Sequence, residues 1–353
     1  MAAIIRFIRI WECRFMQALQ EIMGPIGPLC ISGCHIGDPK IAQICFPLLM
    51  AISTPETAFK VLWAVTLSEW LNICLKLILN DHRPYWWVPE YVPKSNIKLN
   101  MFDITCESNP GNPSGHLMVT SCVWLVAYWH LCSNGILKHK ILRRLSMTTI
   151  IVCLVIIGCG RLYVSAHFPD QIIAGVEIGV LLANFVDRNI SMNELRTKHH
   201  MLMALLAVAI YHTIRYFVEM LSGDKDWTLK LALKWCSDPR NVKADTIPSF
   251  TVCRVFSSMV SIAFTFMFVH RKIIKGPNNE VVKANIFTKS AVGFTASLAC
   301  YLFLNNFQPS TSLDALEWFY AFTFCLYFVN IVLGYSIVMF LSRVVLKYDK
   351  SGK

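Results

Sequence analysis

Charge is scarce in this sequence. Asp, Glu, Lys and Arg make up 16% of its 353 residues while 55% are hydrophobic, and the mean hydropathy is +0.49. A soluble domain carries roughly 25% charged residues, so an ordinary wet surface is excluded and the chain belongs in a bilayer. A secretory leader is also lacking: no charged start leads into a short apolar run and a small-residue cleavage site, so the first apolar segment is expected to remain as an anchor. No internal repeat and no low-complexity tract is present. A basic patch interleaved with aromatics is missing too. The formal net charge of +11 comes from residues lying between apolar stretches, which excludes nucleic acid as a partner and leaves membrane lipid.

What is present is a series of apolar runs. A spanning helix needs about 20 predominantly apolar residues, and nine stretches approach that length, at 25–50, 57–79, 115–133, 147–165, 171–187, 201–221, 249–269, 284–304 and 316–342. The expectation is an all-α membrane protein of about nine transmembrane helices, with residues 1–353 forming one polytopic domain. Lys and Arg collect after the third span (Lys138, Lys140, Arg143, Arg144), the fifth (Arg188, Arg196, Lys198), the seventh (Arg271, Lys272, Lys275, Lys283) and the ninth (Arg343, Lys347, Lys350, Lys353). Counting positive charge in short loops places these on the cytosolic side, with the N-terminus lumenal and the C-terminus cytosolic. Arg6, Arg9 and Arg14 before the first span run against this count, as do Lys225, Lys230, Lys234, Arg240 and Lys243 between the sixth and seventh.

Most of the fourteen cysteines fall inside spans, where a thiol is a small apolar residue. Cys106 and Cys236 are the lumenal exceptions. They are either paired or two free thiols. Asn189 opens a glycosylation sequon that the expected topology turns to the cytosol.

Ionisable residues within spans are costly and mark functional sites. Three clusters stand out, all within 76–171. Lys76 and Arg83 lie seven residues apart at the end of the second span. On a helix that spacing returns to nearly one face about 10 Å along the axis, so both cations point into one cavity. Pro113-Ser114-Gly115-His116 opens the third span: Ser114 is a preferred N-cap, Gly115 admits a ligand to the backbone, and a helix N-terminus favours an anion. His116 is then placed to protonate a leaving oxygen. Gly160-Arg161 and His167-Phe168-Pro169-Asp170 join the fourth and fifth spans, with Pro169 holding Phe168 out of helix and His167 at the mouth, where its ring nitrogen can attack phosphorus. Together these give three cations, a nucleophile and an acid with no metal-ligand set and no cofactor motif. Phosphate-monoester hydrolysis is among the slowest uncatalysed reactions. A fixed cation about 4 Å from an oxyanion contributes roughly 4 kcal/mol at an effective dielectric near 20, so three can stand where metal ions stand elsewhere.

These blocks resemble the histidine-dependent acid phosphatase and lipid phosphatase superfamily, whose pattern is Lys-x6-Arg-Pro, then Pro-Ser-Gly-His, then Ser-Arg-x5-His-x3-Asp. The resemblance implies a lumenal active site of the type-2 phosphatidic acid phosphatase kind, in which Lys76, Arg83 and Arg161 hold phosphate, Ser114 and Gly115 support it, His116 is the acid and His167 the nucleophile. Two positions depart from the pattern: Gly160 stands for Ser, and Gln171 stands for the Asp that orients the imidazole. Asp170 is one residue out of register. His-Phe-Pro-x-Gln is the usual form in glucose-6-phosphatase catalytic subunits, which the chain also resembles in Arg83-Pro-Tyr-Trp-Trp87, Cys106-Glu107, Gly111-Asn-Pro-Ser-Gly-His116 and Trp235-Cys236. That subfamily implies glucose 6-phosphate as substrate, an endoplasmic-reticulum membrane and supply by a separate glucose-6-phosphate transporter. Lys350-Ser-Gly-Lys353 only approximates a dilysine retrieval signal. A lipid phosphate substrate and a catalytically silent sugar-phosphate binder are the competing readings.

Weaker candidates lie deeper. Asp38 and Lys40 interrupt the first span, and Glu69 and Trp70 the second. Asp38 and Asn72 are candidates to hold sugar hydroxyls with Trp70 or Trp86 as an apolar platform; helix pairing is the alternative. Arg215, Glu219, Arg254 and Lys289 read as interhelical pairs or interface residues.

Overall fold

The computed structural model describes residues 2–192, 197–224, 226–242, 246–266, 285–307 and 316–351. Among them the chain is helical, with no β-strand. Of the basic residues that set the expected topology, Arg196, Arg271, Lys272, Lys275, Lys283 and Lys353, like Lys225 and Lys243, lie outside the described residues.

The helices are α1 (Ala2–Met23), α2 (Gly27–Ile36), α3 (Pro39–Ile44), α4 (Phe46–Ile52), α5 (Pro55–Leu79), α6 (Pro84–Tyr91), α7 (Gly115–Ser133), α8 (Lys140–Tyr163), α9 (Pro169–Asn189), α10 (Thr197–Ser222), α11 (Trp227–Trp235), α12 (Pro248–Phe264), α13 (Ile286–Asn306) and α14 (Leu316–Ser351). Six segments among the described residues are long and apolar enough to cross a membrane: 55–91, 140–163, 169–189, 198–221, 286–306 and 318–342. Helix α12 is apolar but shorter, and α7 has 19 residues.

The expected first span, 25–50, is not one helix. Pro25, Pro28, Pro39 and Pro47 each lack an N–H and clash with the preceding turn, and the chain breaks into α2, α3 and α4. Asp38 terminates the break by capping α3, its Oδ1 accepting from the Lys40 N–H at 2.9 Å. A helix not expected from the sequence precedes it. Helix α1 buries polar residues, Arg9, Glu12 and Gln20, and exposes Ile4, Phe7, Trp11 and Phe15. That arrangement inverts a soluble amphipathic helix and presents an apolar stripe outward.

The centre of the molecule is α5, whose Phe59, Val61, Leu62, Trp63, Ala64 and Val65 are fully buried, against α4, α7, α9, α12 and the last two helices. Helices α7 and α9 approach closely because α9 is small where they cross: a Cβ on Gly175 would stand 2.7 Å from the Ser114 carbonyl oxygen. Small residues at crossings are how helices pack without a hydrophobic drive between them. This crossing sets the N-terminus of α7 against the start of α9, where two of the three sequence clusters sit.

Candidate active site

Helix α5 ends on Asn80, which takes left-handed backbone angles (φ 46°) with its N–H on the Lys76 carbonyl. That reversal throws Asp81, His82 and Arg83 across the mouth of the bundle before Pro84 starts α6. Lys76 on the last turn and Arg83 after it meet the same loop. Lys76 Nζ donates to Asn109 Oδ1 at 3.1 Å and to the Pro110 carbonyl at 2.6 Å. Arg83 donates through Nε to the Asn109 carbonyl at 2.7 Å, through Nη1 to the Ala166 carbonyl at 2.9 Å, and through Nη2 to Asn109 Oδ1 and the Pro110 carbonyl. Both cations therefore converge on Asn109 and Pro110, and of the two it is Lys76 that lines the cavity beside them. Lys76, Arg83, Arg161, Ser114, His167 and Gln171 are each 2% exposed or less.

Arg161 closes the site from the end of α8. Its guanidinium and that of Arg83 share one carboxylate, Glu107, which pairs with Arg83 Nη2 at 2.8 Å and with Arg161 Nη2. Burial alone would push the Glu107 carboxyl up; Arg161 and then Arg83 outweigh it and hold the group well below the usual carboxylate range. The sequence marked Glu107 only as part of a resemblance. Its bridging role was missed because nothing local to Cys106-Glu107 signals two arginines brought in from other helices. Cys106 is itself paired with Cys236, their Cα atoms 5.8 Å apart. This resolves the open alternative in favour of a disulfide and staples the site loop to the segment after α11.

His167 sits between α8 and α9 with no exposed surface. Its Nδ1 lies 2.9 Å from the Gly111 carbonyl oxygen and 3.3 Å from Gln171 Oε1. The Gln171 amide can be oriented from its partners: one end faces Asp81 Oδ2 at 2.9 Å and the His82 carbonyl at 2.8 Å, both acceptors, so it is NH2. The oxygen end therefore accepts from the Phe168 N–H and faces His167 Nδ1. Two acceptors at Nδ1 put the proton there and leave the lone pair on Nε2, which lies 3.4 Å from Arg83 Nη1. Burial, followed by the charges of Arg83, Arg161 and Lys76, holds the His167 imidazole well below its ordinary value and hence neutral. Gln171 thus occupies the orienting position. Asp170 turns away, its Oδ1 accepting from Arg9 at 2.7 Å.

Ser114 is the residue before α7, as the sequence implied, but its hydroxyl caps nothing. Its N–H donates to the Gln171 carbonyl at 2.9 Å, while Oγ is buried with no partner, and so is Arg161 Nε. Buried polar atoms are rarely left unpaired, and two orphan donors beside three cations suit an anion. A cavity of about 110 Å³ opens beside them, lined by Asp38, Asn72, Lys76, Glu107, Gly115 and His116 among others. Gly115 keeps its wall open, since a Cβ there would stand 3.0 Å from Asn72 Oδ1 and crowd that side chain. The Gly160 departure also has a cause: a Cβ would meet the Cys30 carbonyl oxygen at 2.6 Å, so the serine of the general pattern does not fit against α2.

Asp38 and Asn72 reach the cavity; Trp70 and Trp86 do not. Trp70 donates its indole N–H to the Ala207 carbonyl on α10 at 2.9 Å. Trp86 is buried among α6 aromatics with its N–H toward His82 Nδ1 at 3.2 Å. Each points where it does because an indole N–H inside a bundle needs a fixed acceptor. Arg254 pairs with Glu69 at 2.7 Å and Arg215 with Glu219 at 2.6 Å, as interhelical and i,i+4 pairs respectively.

A bundle with this cationic histidine site defines a class, and residues 57–194 match the PAP2 superfamily. The human protein named Glucose-6-phosphatase 2 is 33% identical over 315 residues, covering 82% of this chain and 83% of that one. Glucose-6-phosphatase catalytic subunit 1 of Haplochromis nubilus is 33% identical over 58% of this chain and 60% of its own, and that of Felis catus 28% identical over 80% of each. No solved structure matches. The chain belongs to the glucose-6-phosphatase family.

Proposed function

We propose that the protein hydrolyses glucose 6-phosphate to glucose and phosphate, through a phosphohistidine at His167, as the last step of glucose release or in glucose 6-phosphate cycling. The observation that carries this reading is His167 itself: a neutral imidazole with Nδ1 held and Nε2 presented beside Arg83, next to two orphan donors. In the first step the Nε2 lone pair attacks phosphorus and the bond from phosphorus to the sugar oxygen breaks. His116 gives its proton to that oxygen and glucose departs. In the second, water attacks phosphorus, His116 takes a proton from it, and the phosphorus–nitrogen bond returns its electrons to Nε2. Lys76, Arg83 and Arg161, with Ser114 and the Gly115 end of α7, neutralise the charge on the transferring group. Asp38 and Asn72 line the same cavity and in this reading hold the sugar hydroxyls.

We place the enzyme in the endoplasmic-reticulum membrane with its site lumenal and its C-terminus cytosolic, supplied by a glucose 6-phosphate transporter. The disulfide beside the site supports the lumenal side, because disulfides persist in oxidising compartments. One assay tests both specificity and sidedness: turnover of a panel of sugar phosphates by microsomes, intact and detergent-opened. Glucose 6-phosphate preferred, with latency lifted by detergent for substrates the transporter rejects, is expected. A lipid phosphate is the second reading, favoured by an apolar cleft of about 470 Å³ between α3, α4, α7 and α8 that shares Asp38 with the reaction cavity. Faster turnover of phosphatidate in mixed micelles than of glucose 6-phosphate selects it.

A further inference from the structure

Three arginines before the first expected span run against the charge count, and Arg9 is not spent on topology. It is 8% exposed and faces the catalytic loops. Its Nη2 donates to Asp81 Oδ2 at 2.7 Å, its Nη1 to Asp170 Oδ1 at 2.7 Å and to Glu12 Oε2 at 2.9 Å. The guanidinium carbon lies 4.0 Å from the Phe168 ring centroid. Arg9 therefore grips Phe168 and Asp170, which lie within the His167–Gln171 turn, and Asp81 across from it.

Asp81 in turn holds both acceptors on His167 Nδ1. Its side chain takes the Gln171 amide N–H at 2.9 Å, fixing the end of that amide that faces the imidazole. Its backbone carbonyl takes the Gly111 N–H at 2.8 Å, tying down the residue whose own carbonyl, in the next peptide, faces the same nitrogen. Asn112 Nδ2 reaches Asp81 Oδ2 as well, at 3.4 Å. The general pattern of this superfamily has one carboxylate directly on the imidazole. In this chain an amide stands there and the carboxylate sits one bond further out, anchored by an arginine from α1.

We propose that Asp81 and Arg9 are positioning residues for the nucleophile: Arg9 on α1 locks Asp81, and Asp81 sets the Gln171 amide and the Gly111 carbonyl that aim His167 Nε2. The inference rests on His167 as nucleophile. Helix α1 is suited to the task because its outward stripe of Ile4, Phe7, Trp11 and Phe15 is apolar, leaving the polar face to the loops. Neither residue lines the cavity, so binding is expected to hold while the attack geometry loosens; a misplacement of about 1 Å costs roughly 100-fold.

The test uses full-length protein in detergent with glucose 6-phosphate. Asp81→Asn, which keeps shape, is expected to lower kcat and the rate of phosphoenzyme formation in single-turnover quench by about 10- to 100-fold, with KM within about twofold. Arg9→Gln follows it, Arg9→Lys recovers part of the loss, and Asp81→Asn adds little to Arg9→Gln because the two act in series. Thermal unfolding and formation of the Cys106–Cys236 disulfide report folding for each variant. Wild-type phosphoenzyme formation in folded Asp81→Asn, a loss confined to KM, or full additivity of the two variants overturns the proposal. His167→Ala run alongside separates the layers: retained turnover there overturns the nucleophile instead.

Discussion

Two buried carboxylate–arginine clusters border the same cavity and do different things. Glu107 bridges Arg83 and Arg161, while one helix over Glu69 pairs with Arg254, both partners under 10% exposed. The ion chemistry is alike. What separates them is the company each keeps. Around Glu107 stand His167, Lys76 and two polar atoms with no partner, Ser114 Oγ and Arg161 Nε. Around Glu69 the guanidinium also lies against the rings of Phe250 and Tyr327, 5.7 and 5.6 Å from their centroids. A cluster with unsatisfied donors is prepared for a ligand; one closed by a single carboxylate and two aromatic faces fastens α5 to α12.

The comparison can be broken most sharply at its catalytic end. His167→Ala is expected to reduce kcat on glucose 6-phosphate by about 10⁴-fold or more, since on the proposed mechanism its loss leaves only binding and electrostatics; the check is phosphate release by folded protein, with no label retained on the acid-free-quenched chain. Arg161→Lys comes next. A lysine keeps the charge but not the planar fork that reaches Glu107 and leaves Nε for an anion. Its expected loss is about 100- to 1,000-fold in kcat, measured at saturating substrate.

Much of this was legible in the sequence, and the limits follow from how each residue is set. Lys76, Arg83, His116, Arg161 and His167 could be marked as candidates because charge in an apolar run has few structural excuses, and the spacings place each near a helix end. Gln171 could be marked as a departure, yet its orientation depends on Asp81 and His82 from another segment. Glu107, Asn109 and Arg9 act across separations from 24 residues, Glu107 to Arg83, up to 161, Arg9 to Asp170, distances at which local pattern carries no signal. The nine apolar runs gave the all-helical class. They overstated the first, because hydropathy counts Pro25, Pro28, Pro39 and Pro47 without their breaks, and missed α1, whose exposed stripe and buried polar face only make sense once the loops it grips are in place. Trp70 and Trp86 were read for their ring faces when their N–H groups decided where they point.

The Glu69 end of the comparison is sharpened by stability. Glu69→Leu leaves Arg254 buried without its carboxylate and is expected to cost about 3–5 kcal/mol, whereas Glu69→Leu with Arg254→Met is expected to return close to wild type. Thermal unfolding in detergent measures both, and the phosphoenzyme is expected to form normally in whatever fraction folds. Loss of phosphoenzyme in the folded double variant would put Glu69 in the same role as Glu107 and dissolve the distinction.

The smallest effect lies in pH. Burial and the neighbouring cations depress the His167 value below the ordinary imidazole range. The sign follows directly: protonation blocks the Nε2 lone pair, so activity is lost as pH falls through the depressed value, not through the ordinary one near about 6.5. At a pH of about 6 an unperturbed imidazole would be roughly three-quarters protonated and kcat/KM about fourfold down. Here the loss from His167 is expected to stay under about twofold there. The substrate phosphate has its own second pKa near about 6, so the profile must be plotted against the dianion concentration. An acid limb that still turns at about 6.5 after that correction would mean that Arg83, Arg161 and Lys76 do not act on His167 in the free enzyme, and that Glu107 neutralises its arginines as fully as Glu69 does its own.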